Sequence, residues 1–239
     1  MAYSAAPTGA WRTGTLREID HPADHLVRLR FEIPDRIDHL PGQHYVIRLT
    51  APDGYVAQRS YSIASDPADP LLELMVECLK DGEVSSFLKE VAEVGDAFEL
   101  RGPIGGWFVW DGSPPAVCIA GGPGVVPIVS MLRYARRMGA EDSLRVIAVA
   151  RDLESLPYAA ELEAAGAFIA LTRDNHGDRV AAPPYPEEVA EVIASLRTST
   201  PPRAYVCGSV GFASFANRLL VGAGIPTEEI RVEQFGPSA

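Results

Sequence analysis

A chain of 239 residues with 47% apolar and 22% charged residues has room for one large domain or two ordinary ones with a filled core. Its net charge of −11 argues against broad contact with nucleic acid or anionic membranes, but not against local capture of a phosphate by arginine and backbone N–H groups. No leader pattern or membrane-length apolar run is present, and the three scattered cysteines (Cys78, Cys118, Cys207) outline no disulfide framework, zinc site or cysteine-ligated cluster, so the expectation is a cytoplasmic, metal-free protein.

Up to about Trp110 the pattern is short β segments between turns. Residues 26–31 alternate, as do 44–49 after the turn signal Pro41-Gly42. Next comes Arg59-Ser60-Tyr61-Ser62-Ile63-Ala64-Ser65, where alternation puts Arg59, Tyr61 and Ile63 on one face and Ser60, Ser62 and Ala64 on the other. A cation, a flat ring and hydroxyls in that order suit a planar, phosphate-bearing ligand, and equally an ordinary half-buried strand. Residues 71–79 and 97–101 add two more strands, and 84–91 reads as a short helix capped by Ser85 or Ser86. Many short strands with Gly/Pro punctuation predict a small closed or partly open antiparallel barrel, of Greek-key type, over residues 10–111.

After the turn-rich connector 111–115, apolar strands alternate with amphipathic helices: 116–120 and 127–138, 144–150 and 158–165, 168–172 and 186–196, 204–207 and 212–221, then 230–235. That alternation predicts a five-stranded parallel α/β domain over residues 112–239. Gly121-Gly122-Pro123-Gly124 falls between the first strand and its helix, where glycines allow close backbone approach and the helix offers free N–H groups. It is not the GxGxxG fingerprint, and a tight turn without ligand is the competing reading. The third strand ends in Thr172 and Arg173, followed by Arg179, as holders of an extra phosphate or as solvated surface charges. Residues 198–202 read as a loop, Cys207-Gly208-Ser209 ends the fourth strand, and Glu233 and Phe235 share one face of the fifth, ahead of Gly236-Pro237.

In this order the motifs resemble the ferredoxin–NADP reductase superfamily of flavoproteins, from about Thr13 to Pro237. The resemblance implies FAD bound by Arg59, Ser60, Tyr61 and Ser62 (an R-x-Y-S segment) and by Gly82, Glu83, Val84 and Ser85 (a G-x-V-S pyrophosphate loop). Gly102-Pro103-Ile104-Gly105 is similar to the family's barrel-closing turn. Gly121, Gly122 and Gly124 resemble its nicotinamide-nucleotide loop, and Cys207-Gly208 its nicotinamide contact. Phe235 then covers a flavin face beside Glu233, and Ser62, Cys207 and Glu233 orient the reacting rings. The implied donor is NADPH, with NADH possible, held by Thr172, Arg173 and Arg179. The implied reaction is hydride transfer to FAD, then electron transfer to a ferredoxin or oxygenase component. Two departures stand out: Pro123, where the family often has a hydroxyl residue, and no cysteine cluster for a fused [2Fe–2S] domain. They keep two alternatives open, a small diffusible acceptor and a flavin relay subunit with little nicotinamide activity.

Overall fold

The computed structural model describes residues 9–198 and 201–235; Ser199 and Thr200 of the expected loop, and Gly236-Pro237, lie outside them. The chain divides between Val109 and Trp110 into two units, each with its own core.

The first unit holds β1 (Arg12–Ala23), β2 (Leu26–Glu32), β3 (His44–Thr50), β4 (Val56–Ser62), β5 (Leu72–Glu77), α1 (Glu83–Glu90) and β6 (Ala97–Ile104). The six strands form one antiparallel sheet in the order β4-β3-β6-β1-β2-β5. Its two edges meet just past β4, where Ile63 bridges Leu74 and the Ala64 N–H donates to the Glu73 carbonyl at 2.9 Å. The sheet thus closes as a barrel around Leu16, Leu29, Phe31, Tyr45, Ile47, Ile63, Leu72 and Leu100, all fully buried. Alternation does not reveal β1, because its stretch is rich in charge, contains Pro22 and buries few of its residues. It is held instead by β2 and β6 on either side. α1 begins at Glu83 with Gly82 as its N-cap and no side-chain cap, so neither Ser85 nor Ser86 caps it. The Ser85 hydroxyl turns back to donate to the Gly82 carbonyl at 3.1 Å.

The second unit runs β7 (Ala116–Gly121), α2 (Val126–Met138), β8 (Leu144–Ala150), α3 (Ala159–Ala164), β9 (Phe168–Leu171), α4 (Pro186–Ala194), β10 (Arg203–Ser209), α5 (Val210–Gly222) and β11 (Ile230–Phe235). Its strands are parallel, ordered β11-β10-β7-β8-β9. The chain builds outward one way from β7 through β8 and β9, then returns to add β10 and β11 on the other side. The switch point between β7 and β10 is where open parallel sheets bind ligands, outside the strands' carboxyl ends. Among the described residues no helix is long and apolar enough to cross a membrane.

Candidate functional site

In the first unit the site is built on β4, an edge strand facing α1. Tyr61 sits opposite Tyr45 and Arg59 opposite Ile47 in the β3 register. Ala57 and Ile63, on the same face, are in the core, and Tyr61 packs half-buried against it, its phenol pKa pushed up by burial. Arg59 is exposed and donates only to the neighbouring Gln58 carbonyl, at 2.7 Å. Arg17, Arg28, Arg30 and Arg48 on the same sheet each hold a carboxylate, whereas Arg59 has none among the described residues. Ser60 is exposed on the opposite face; Ser62 is buried, and its hydroxyl has no partner. Such an unmade hydrogen bond costs about 1–3 kcal/mol, so this hydroxyl is suited to a ligand atom.

Beside β4, the first turn of α1 offers uncapped N–H groups and a positive dipole end. Val84 is buried and anchors the helix, while Glu83 accepts from the Tyr55 hydroxyl at 3.0 Å. The Ser85 hydroxyl also accepts from the Leu79 N–H at 3.3 Å, so Ser85 shapes the loop, and what remains for an anion is its backbone. A Cβ on Gly82 would come within 2.4 Å of that hydroxyl. Below, Gly102 lies flat on the Tyr45 ring, where a Cβ would come within 2.6 Å. A helix end without a side-chain cap, an arginine without a carboxylate, a ring and an unpartnered hydroxyl fit FAD.

In the second unit, Gly121, Gly122 and Gly124 lie at the switch point. Gly122 has φ +51°, a left-handed conformation that side chains disfavour. A Cβ on Gly124 would come within 2.3 Å of the Cys207 carbonyl oxygen, so only glycine lets this loop rest on the end of β10. Phe212, in the first turn of α5, covers the backbones of Gly121 and Gly208, where a Cβ would meet its ring at 2.8 and 2.7 Å. Sequence reasoning missed Phe212, since an apolar residue early in a helix carries no distinguishing signal. Pro123 sits in the 3₁₀ turn Gly122–Val125 leading into α2 and removes one N–H from the loop.

Cys207 is fully buried, and its thiol pKa is pushed well up by burial first and by Glu233 second. Glu233 is its register partner on β11; burial raises the Glu233 carboxyl pKa to about 7, and its Oε2 is buried without a partner. Phe235, two residues on, is paired with Ser209 and partly exposed.

At the carboxyl edge of β8 and β9 the ladder continues as the Arg173 N–H donates to the Arg151 carbonyl at 2.9 Å. Arg151, Thr172 and Arg173 are all exposed there. Asp152, whose pKa is lowered first by hydrogen bonds from Ser155, also feels both guanidinium groups, and two like charges side by side suit an incoming anion. Arg151 was not singled out from sequence, because only strand pairing brings it beside Arg173. Arg179 is a correction. Its guanidinium holds Glu188 through two bonds of 2.8 and 3.0 Å and donates to the carbonyls of Ala182 and Pro183, each at 2.8 Å. With its donors engaged within the chain, Arg179 ties down the loop before α4 and is not left for a phosphate.

A model of the oxidoreductase FAD-binding domain family matches residues 14–109. Ferredoxin–NADP reductase B of Sorangium cellulosum is 32% identical over 207 residues, covering 81% of this chain and 84% of that protein. This chain belongs to the ferredoxin–NADP reductase superfamily. Methane monooxygenase component C of Methylosinus trichosporium, another relative, is 34% identical over 74% of this chain and 56% of that protein. In fold, the superfamily member from Neisseria gonorrhoeae, a ferredoxin NADP+ reductase solved with bound FAD and NADP, superposes with a TM-score of 0.79 at 20% identity, covering 94% of this chain and 98% of that one. The chain spans 40% to 69% of the length of several oxygenase-linked relatives. As in the superfamily, the first unit is an FAD-binding oxidoreductase domain.

Proposed function

We propose that this reductase takes hydride from NADPH, less readily from NADH, onto FAD and delivers the electrons to a ferredoxin-like or oxygenase-component protein. The observation that carries the flavin assignment is the buried, unpartnered hydroxyl of Ser62 beside Tyr61 and Arg59. FAD, once bound, supplies the step between two-electron and one-electron chemistry. The protein's task is to bind, orient and exclude water. Arg59 and the first turn of α1 hold the pyrophosphate, Tyr61 stacks on the ring, and Ser62 donates to a ring nitrogen. In the second unit the glycine loop admits the nicotinamide nucleotide. Cys207, a neutral thiol, packs against the nicotinamide, and Glu233, half protonated near pH 7, donates to its carboxamide. Arg151, Thr172 and Arg173 take the 2′-phosphate, which favours NADPH.

The relationship to methane monooxygenase component C supports a protein acceptor. Three free cysteines suit a reducing compartment, and we place the protein in the cytoplasm. Anaerobic titration of the purified yellow protein with NADPH and NADH, followed by flavin absorbance, tests the proposal. Bleaching by NADPH at much lower concentration is the expected result, with the preference shrinking in Arg173→Ala and Arg151→Ala. Pro123 favours a second reading, a flavin relay subunit, and that reading takes over when neither nucleotide bleaches the flavin.

A further inference from the structure

We infer that Tyr55 is the stacking platform for the adenine of FAD, so that one face of β4 engages the dinucleotide from end to end. The inference rests on the flavin assignment above.

Alternate residues of an extended segment share a face, and Tyr55, Ala57, Arg59 and Tyr61 are alternate residues entering and following β4. The order along that face is aromatic, small, cationic, aromatic. At about 3.3 Å per residue, six residues separate the two rings by roughly 20 Å, with Arg59 between them. A dinucleotide has the same order of parts: a planar ring, a doubly charged pyrophosphate, a second planar ring. Among the described residues the pairing of this edge with β5 is confined to Ile63 and Ala64, just past β4, so toward Tyr55 the two strands are not hydrogen-bonded, and α1 packs against β4. The face is therefore closed by the core at Ile63 and Ala57, half-covered at Tyr61 and open at Arg59 and Tyr55.

Tyr55 is 57% exposed, yet held at several points. Its N–H donates to Asp53 Oδ1 at 3.0 Å, its carbonyl accepts from the Ala51 N–H at 2.8 Å, and its hydroxyl donates to Glu83 Oε2 at 3.0 Å. Gly54, at φ +89°, lets the turn close tightly enough to place the ring there. The Glu83 contact matters twice. It ties the ring to the first turn of α1, next to the proposed pyrophosphate site, and it turns an acidic side chain toward the phenol. An aromatic ring fixed in advance with a face open to solvent stacks a base with little further loss of freedom.

The test is fluorescence titration of the flavin-free full chain with FAD and, separately, FMN, which lacks the adenylate. Tyr55→Ala is expected to weaken FAD binding by about tenfold or more and to leave FMN binding unchanged, whereas Tyr55→Phe, which keeps the ring, retains FAD binding to within about threefold. FMN binding also reports whether each variant is folded. Wild-type FAD affinity in Tyr55→Ala overturns the inference, as does equal weakening of FAD and FMN, which would make Tyr55 a support of the loop. A wild-type chain that binds FMN and FAD equally overturns the adenine site but leaves the flavin assignment standing. One that binds neither overturns both.

Discussion

At the scale of single residues, function shows as groups left unsatisfied by the protein itself. Ser62 buries a hydroxyl with nothing to bond. Truncating a buried hydroxyl that bonds to nothing removes its desolvation cost of about 1–3 kcal/mol, so Ser62→Ala should raise the Tm of the flavin-free protein while slowing flavin reduction by NADPH roughly tenfold. Stopped-flow reduction and a melting curve on the same sample separate the two effects. Glu233 behaves differently because its cost depends on pH. Burial raises its carboxyl from the usual 4.5 to about 7, so between those values the folded chain keeps a proton that the unfolded chain has lost. The stability associated with this proton is complete below about pH 4.5 and is lost as pH rises through 7. Glu233→Gln should therefore raise Tm at pH 8 and leave it unchanged at pH 4.5. Arg179 is the opposite case, a cation whose needs are met. Arg179→Ala removes two hydrogen bonds from the partly buried Glu188 carboxylate, which keeps the Tyr185 N–H, and should cost about 1–2 kcal/mol in urea unfolding, with the preference for NADPH over NADH unaltered.

At the scale of elements, loops take their shape from what they pack against. Gly122 and Gly124 look alike in sequence but carry different constraints. Gly122 needs glycine for its left-handed φ, with nothing within 4 Å of a Cβ, so Gly122→Ala should cost about 1–2 kcal/mol. Gly124 faces a backbone carbonyl 2.3 Å from a Cβ, which cannot swing away as a side chain would. Gly124→Ala should cost more, about 3 kcal/mol, and weaken nicotinamide nucleotide binding by forcing the loop from the end of β10. Denaturation midpoints of the two variants give the order directly. α1 shows the same dependence on surroundings. Its serines are cap candidates by position, but the Leu79 N–H and the Gly82 carbonyl of the preceding turn engage the Ser85 hydroxyl instead.

For the whole molecule, the chain is two units with separate cores, divided between Val109 and Trp110. The sequence placed that boundary at 111–112, from the change of hydrophobic period and the turn-rich connector. Since a unit with its own core is able to fold alone, a fragment of residues 1–111 should melt cooperatively and bind FAD. A fragment that stays unfolded, as judged by circular dichroism, would show that the barrel depends on the second unit.

What the sequence by itself determined was local and ordered: the antiparallel-then-parallel plan, the R-x-Y-S strand, the two glycine loops and the Glu233–Phe235 pair. Each is written within a few residues, as a period, a turn or a motif. Only the tertiary structure decided what depends on neighbours distant in sequence. β1 is stabilised by the strands on either side more than by its own pattern, Arg151 becomes a phosphate candidate by pairing with Arg173, and Arg179 ceases to be one by meeting Glu188. A charged side chain reads the same in sequence whether it is paired or free. Its role follows from which donors and acceptors the fold brings within about 3 Å.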